Sequence, residues 1–141
     1  MFVVLNLEEF ENDLDRWVNE ILPEKISKIQ LKLAFDIFAA LVRLSPVDTG
    51  RYRGSWTMAE GAPDSTVQPE GPGPFPEPTT PALAVATTWA ALNVIWLANH
   101  LPYAERLEEG HSGQAPSGVA APVLASLEAG GFLRSVASEV D

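Results

Sequence analysis

The sequence predicts an α+β domain: a small antiparallel sheet packed by a long N-terminal helix and a C-terminal helix, with a long Pro-rich loop. Three observations lead there. Apolar residues recur every three or four positions from Leu7 to Leu44. Two short stretches, beginning at Tyr52 and at Asn93, carry strand patterns. Between them, residues 60–81 hold seven prolines, three glycines and no basic residue.

The first helical segment places Leu7, Phe10, Leu14, Trp17 and Ile21 on one face. Asn6 is suited to cap its start, and Glu8, Glu9 and Glu11 sit where the helix dipole favours acids. Pro23 lacks a backbone N–H, so it kinks the helix or opens a new one. Residues 24–44 then read as a second, longer helix with Ile26, Ile29, Leu33, Ile37, Leu41 and Leu44 as its stripe. Phe35 and Phe38 widen that stripe beyond the needs of a lone surface helix. They are therefore candidates for a surface shared with the rest of the domain or with a partner.

The helix must end near Leu44, because Ser45 precedes Pro46 and the residue before a proline is pushed out of the α region. Asp48 can fold back onto nearby N–H groups and Gly50 can take a positive φ. A strand is expected next, with Tyr52, Gly54, Trp56 and Met58 alternating against Arg53, Ser55 and Thr57. The Pro-rich stretch cannot propagate a helix or a central strand, and reads as an extended loop. Phe75, between two prolines, is its candidate docking anchor. Residues 81–91 read as a short Ala-rich helix and residues 93–98 as a buried strand. Pro102 opens a helical turn that runs through Glu109 and stops at Gly110, with Tyr103 and Leu107 inward and Glu105, Glu108 and Glu109 outward. Residues 119–140 read as mostly helical, with a hinge at Gly130-Gly131.

The chain has 141 residues, 46% of them apolar, which suits one domain over residues 1–141. It has no cysteine, so disulfides, thiolate chemistry and Cys-containing zinc sites are excluded. Its formal net charge is −10, which disfavours charge-driven binding to nucleic acid or to anionic membranes. The charge is uneven. All three lysines, Lys25, Lys28 and Lys32, lie in one early stretch, and no Lys or Arg occurs between Arg53 and Arg106. Residues 1–5 are apolar without a basic flank, so no secretion signal is expected. The apolar run over residues 82–98 is barely long enough to span a bilayer, contains Thr87, Thr88 and Asn93, and lacks flanking Lys or Arg. A membrane span is not expected.

Little here points to catalysis. His100 and His111 could join Glu105 and Glu108 at a metal only in a spacing unlike His-Glu-x-x-His. No Gly-x-Ser-x-Gly elbow is present. In Gly71-Pro72-Gly73-Pro74 the prolines remove the N–H groups that a phosphate loop needs. The competing reading is a small hydrolase or metal-dependent enzyme using His100, His111 and nearby acids. Replacing both histidines tests it. Arg51 and Arg53 form the basic pair at the turn, suited to a local ion pair with Asp48, to a partner's acids or to DNA passing nearby, the local ion pair being favoured.

Two stretches together carry a family resemblance. Ser45-Pro46-Val47-Asp48-Thr49-Gly50-Arg51-Tyr52-Arg53-Gly54-Ser55-Trp56 resembles the signature (S/T)PVDTGR.RGSW of a neck protein family of tailed bacteriophages, also called tail-completion or minor tail proteins. Asn99-His100-Leu101-Pro102-Tyr103-Ala104-Glu105-Arg106-Leu107-Glu108-Glu109-Gly110-His111-Ser112 resembles its second signature, NNLPYA..LE.GHS, which Gln114-Ala115-Pro116 continues. The match covers about residues 43–123. Position 100 is His where the pattern often has Asn, and the Pro-rich loop is longer and more acidic than usual. The resemblance implies a sheet packed by helices, no catalysis and no cofactor. It implies a virion protein, assembled in the bacterial cytoplasm, that completes the tail or joins it to the filled head. Its implied partners are other copies in a ring, the head-closure or connector protein, and the tail terminator or tail tube. DNA would pass nearby without specific recognition.

Overall fold

Residues 7–44 form one helical rod. A computed structural model of the chain describes residues 6–78, 93–131 and 134. In it the rod comprises α1 (Leu7–Arg16), a π-helical turn (Trp17–Ile21) and α2 (Leu22–Leu44). The Asn6 side chain caps the start, accepting from the Glu9 N–H at 3.3 Å. The expected interruption at Pro23 takes the form of the π-turn, without a break. Proline offers no N–H to the carbonyl four residues back, and its ring needs room there. The chain widens one turn to supply it, with the Leu22 N–H bonded to the Trp17 carbonyl five residues back. Pro23 then lies in the first turn of α2.

The rod stops at Ser45, which turns extended (φ −64°, ψ 130°) ahead of Pro46. Gly50 has φ 87° and ψ −2°, the left-handed conformation expected of it. The strand expected from Tyr52 starts later. Residues Arg51–Gly54 form a helical turn, α3, because the Gly54 N–H reaches the Gly50 carbonyl at 2.8 Å and the Ser55 hydroxyl reaches the Arg51 carbonyl at 2.8 Å. Tyr52 and Gly54 are thus buried through helical geometry, and only Trp56 and Met58 through strand alternation.

Strand β1 (Trp56–Glu60) pairs antiparallel with β2 (Ile95–Asn99), in a register that sets Trp56 opposite Asn99 and Glu60 opposite Ile95. The second strand thus lies where residues 93–98 predicted one, shifted slightly toward Asn99, but it is not the buried strand expected: none of its residues is fully buried and Trp96 is 42% exposed. The Ala-rich helix expected at residues 81–91 lies outside the described residues. Helix α4 (Ala104–Glu108) ends in a Schellman motif: Gly110 at φ 86° donates to Leu107, and His111 donates to Arg106, each at 3.1 Å. Helix α5 (Ala120–Glu128) ends at Gly130, φ 76°, where the sequence predicts a hinge. Helical residues resume at Gly131 and Arg134. The rest of the helix expected to residue 140 lies outside the described residues.

The core joins α2 to the sheet and to α5 through Phe38, Leu41, Trp56, Met58, Val119 and Val123. Residues 61–78 contain no helix or strand. Among the described residues no helix is long and apolar enough to cross a membrane.

Candidate functional site

The two signature segments fold against each other around the turn that follows α2. Ser45 sits at its centre and is buried. Its hydroxyl donates to the Leu41 carbonyl at 2.7 Å and accepts from the Trp56 indole N–H at 2.7 Å. One hydroxyl can do both, so the end of α2 and the start of β1 share a single oxygen. The expected Asp48 hook is supplied by its neighbour: the Thr49 hydroxyl accepts from the Arg51 N–H at 3.4 Å. No Asp48 hydrogen bond is found among the described residues.

The second segment clasps the first at two places. The Asn99 amide donates to the Tyr52 carbonyl at 2.8 Å, and its oxygen accepts from the Leu101 N–H at 3.3 Å. The Gln114 amide donates to the Val47 carbonyl at 3.0 Å and accepts from the Val47 N–H at 2.9 Å. Leu101 and Ala115 are buried. Tyr103, just past Pro102, packs its ring 6.4 Å from Tyr52, which meets Trp56 edge-on at 5.9 Å. Leu107 packs against the core. Ser112 accepts from the Gln114 N–H at 3.2 Å, and the Pro116 carbonyl passes over Gly110 so closely that a Cβ there would overlap it.

Glu108 departs from its expected outward position. Its carboxylate turns in and occupies the start of α5, accepting from the N–H groups of Val119, Ala120 and Ala121 at 2.8–2.9 Å. Helix α5 has no side-chain cap of its own at Val119, so a residue from α4 satisfies its first donors. Partial burial opposes ionisation of Glu108, but the three donors outweigh it and hold the carboxyl below its ordinary range. The sequence held one indirect signal, a helix start without a local Ser, Thr, Asp or Asn at the cap position.

Both arginines are engaged by the Pro-rich loop. Arg51 donates to the Gln68 carbonyl at 3.0 Å and lies 3.8 Å from Glu70. Arg53 pairs with Glu77 at 3.0 Å and donates to the Ser45 carbonyl at 3.0 Å, while its buried Nε has no partner among the described residues. Gln68, which sequence reasoning missed, donates its N–H to the Ser55 hydroxyl at 2.9 Å and its amide to the Gly54 carbonyl at 3.2 Å. Phe75 donates its backbone N–H to Thr49 at 2.9 Å and is half-buried. Phe38 is a core residue, 3% exposed, whereas Phe35 is half-buried beside it.

Between the segments lies an open cleft of about 220 Å³, bordered by Asp48, Arg51, Tyr103 and Gln114. No match is found when the chain is compared with models of protein families, with curated proteins or with solved structures. Tyr52 is pushed up to about 12, chiefly by burial and then by Glu108 and Tyr103. Tyr103 is raised by burial. Neither phenol is poised to transfer a proton near neutrality. His100 is exposed at the end of β2, and His111 directs Nδ1 to the Arg106 carbonyl at 2.9 Å. Among the described residues no three of His, Asp and Glu gather where they could hold a metal ion.

Proposed function

We propose that this chain is a structural subunit of the head–tail joint of a tailed phage, completing the tail or connecting it to the DNA-filled head. One observation carries the reading. Ser45, Trp56, Asn99, Glu108 and Gln114, all in the two resembling segments, make hydrogen bonds that tie one chain segment to another. An enzyme family would be expected to keep its signature polar groups aimed at a substrate. A subunit that must hold a rigid shape among neighbours keeps them in the scaffold. The acidic surface fits a channel-side component that does not retain passing DNA. In this role the chain works as one copy in a closed ring, contacting the connector on one side and the tail tube or its terminator on the other. It needs no cofactor.

Electron microscopy of particles made without this gene tests the proposal. Filled heads beside separate tails, or tails of wrong length, are expected. Intact infectious virions would overturn it.

A further inference from the structure

Among the described residues the N-terminal third of the rod has no packing partner outside the rod. Every residue from Asn6 to Glu20 is exposed. They include Phe10 at 56% and Trp17 at 47%, on the same face as Leu7 and Leu14. A run of large apolar side chains like this marks an interaction surface. An isolated helix of about this length is also marginal in water without tertiary contacts. The rod is straight-through helix, so α1 cannot fold back onto its own α2.

The stripe has coiled-coil spacing. Leu7, Phe10, Leu14, Trp17 and Ile21 alternate steps of three and four, and Leu22, Ile26, Ile29 and Leu33 resume them beyond the π-turn. The π-turn is the splice between the two runs. Its five-residue hydrogen bond brings Leu22 beneath Trp17, so both runs stay on one face.

We infer that this stripe is the interface of an antiparallel dimer with a second copy of the chain, centred on the Ile21–Leu22 step. Reversing one rod on another about that point gives four repeated layers: Phe10 on Leu33, Leu14 on Ile29, Trp17 on Ile26 and Ile21 on Leu22. The charges choose this occupant. Residues 7–21 carry six acids and one base, whereas all three lysines of the chain follow in residues 25–32. In this register the flank of the seam sets Asp13 beside the second copy's Lys32, and Glu20 beside its Lys25. Each pair occurs twice by symmetry. A parallel dimer would align acid with acid along α1. At either end, Phe10 reaches the apolar groove of about 400 Å³ that Leu33 lines with Ile37, Val94 and Leu97. The inference stands apart from the phage reading, since it concerns the free chain and uses none of the signature residues.

Sedimentation of the full chain tests it, with disulfide trapping for orientation. The wild-type chain is expected to sediment at twice the mass of one chain. Leu14→Asp, at an exposed position, is expected to raise the dimer dissociation constant at least tenfold. Glu20→Lys is expected to weaken the dimer, and Glu20→Lys combined with Lys25→Glu to restore it. The chain has no native cysteine, so a mixture of Leu14→Cys and Ile29→Cys chains is expected to form the mixed disulfide on oxidation. A wild-type chain that stays at single mass into the 100 µM range, on the order of a weak association limit, overturns the proposal. So does rapid self-crosslinking of Leu14→Cys chains without the mixed product, because it marks a parallel pair.

Discussion

The carboxylate of Glu108 spans the first turn of α5, 2.9 Å from the N–H of Val119 and in reach of the two that follow. One α4 side chain thus anchors a helix eleven residues later in the chain. Glu108→Ala should cost about 1–2 kcal/mol, the usual worth of a lost N-terminal cap. The melting temperature should fall by roughly 3–5 °C per kcal/mol. The folded carboxyl titrates below its ordinary value of 4.5. Its stabilisation is therefore complete above the unfolded value and is lost as pH falls through the lower folded value. Wild type and Glu108→Gln should differ at pH 7 and converge in acid, as read by melting temperature against pH.

Tyr52 has the opposite sign. Its folded value of about 12 lies above the ordinary 10.0 because burial favours the neutral phenol. Its contribution is complete below pH 10 and is lost as pH rises from there toward 12. Tyr52→Phe should flatten the alkaline limb of the stability profile, a change that chemical denaturation between pH 8 and 11 would detect.

Ser45→Ala removes the acceptor of a buried indole N–H together with the donor to Leu41. A loss of about 1–3 kcal/mol is expected, since one partner stays unsatisfied. Trp56→Phe in the same background should add less than it does alone, and a double-mutant cycle by denaturant unfolding measures that coupling.

Two glycines hold the Pro-rich loop against the turn. A Cβ at Gly50 would lie 2.9 Å from the Phe75 carbonyl oxygen, with φ at 87° besides. A Cβ at Gly54 would lie 2.5 Å from that of Pro76. Gly50→Val should cost more than about 1 kcal/mol, and Gly54→Ala should also destabilise. An unchanged melting temperature for either would mean that the loop does not lie there.

Local signals in the sequence carried well into the fold. Periodicity gave the rod, Ser45-Pro46 its end, Gly50 a positive-φ turn, Gly110 a helix stop and Gly130-Gly131 an interruption after α5, because each rests on the chemistry of adjacent residues. The errors have two sources, one local and one distant. Tyr52 to Met58 alternates like one strand, yet the first half closes as a helical turn around Gly50 and Ser55. Glu108 sits on the outer side of α4 by spacing alone, and only α5 draws it in. At the candidate site, the convergence of the two segments through Asn99 and Gln114 cannot be read from either segment. The use of both arginines by Gln68, Glu70 and Glu77 is equally invisible to spacing.

Among the described residues β1 and β2 make up the sheet, so each is an edge there, and an uncovered edge invites further strands from other molecules. The Pro-rich loop flanks β1: the Asp64 carbonyl accepts from the Thr57 hydroxyl at 2.8 Å, and Pro76 and Pro78 border a separate, shallow cleft along Trp56 and Met58. Prolines have no N–H with which to extend a ladder. The loop can therefore shelter that edge without becoming a third strand itself. This makes the prolines a guard against fibrous polymerisation through β1.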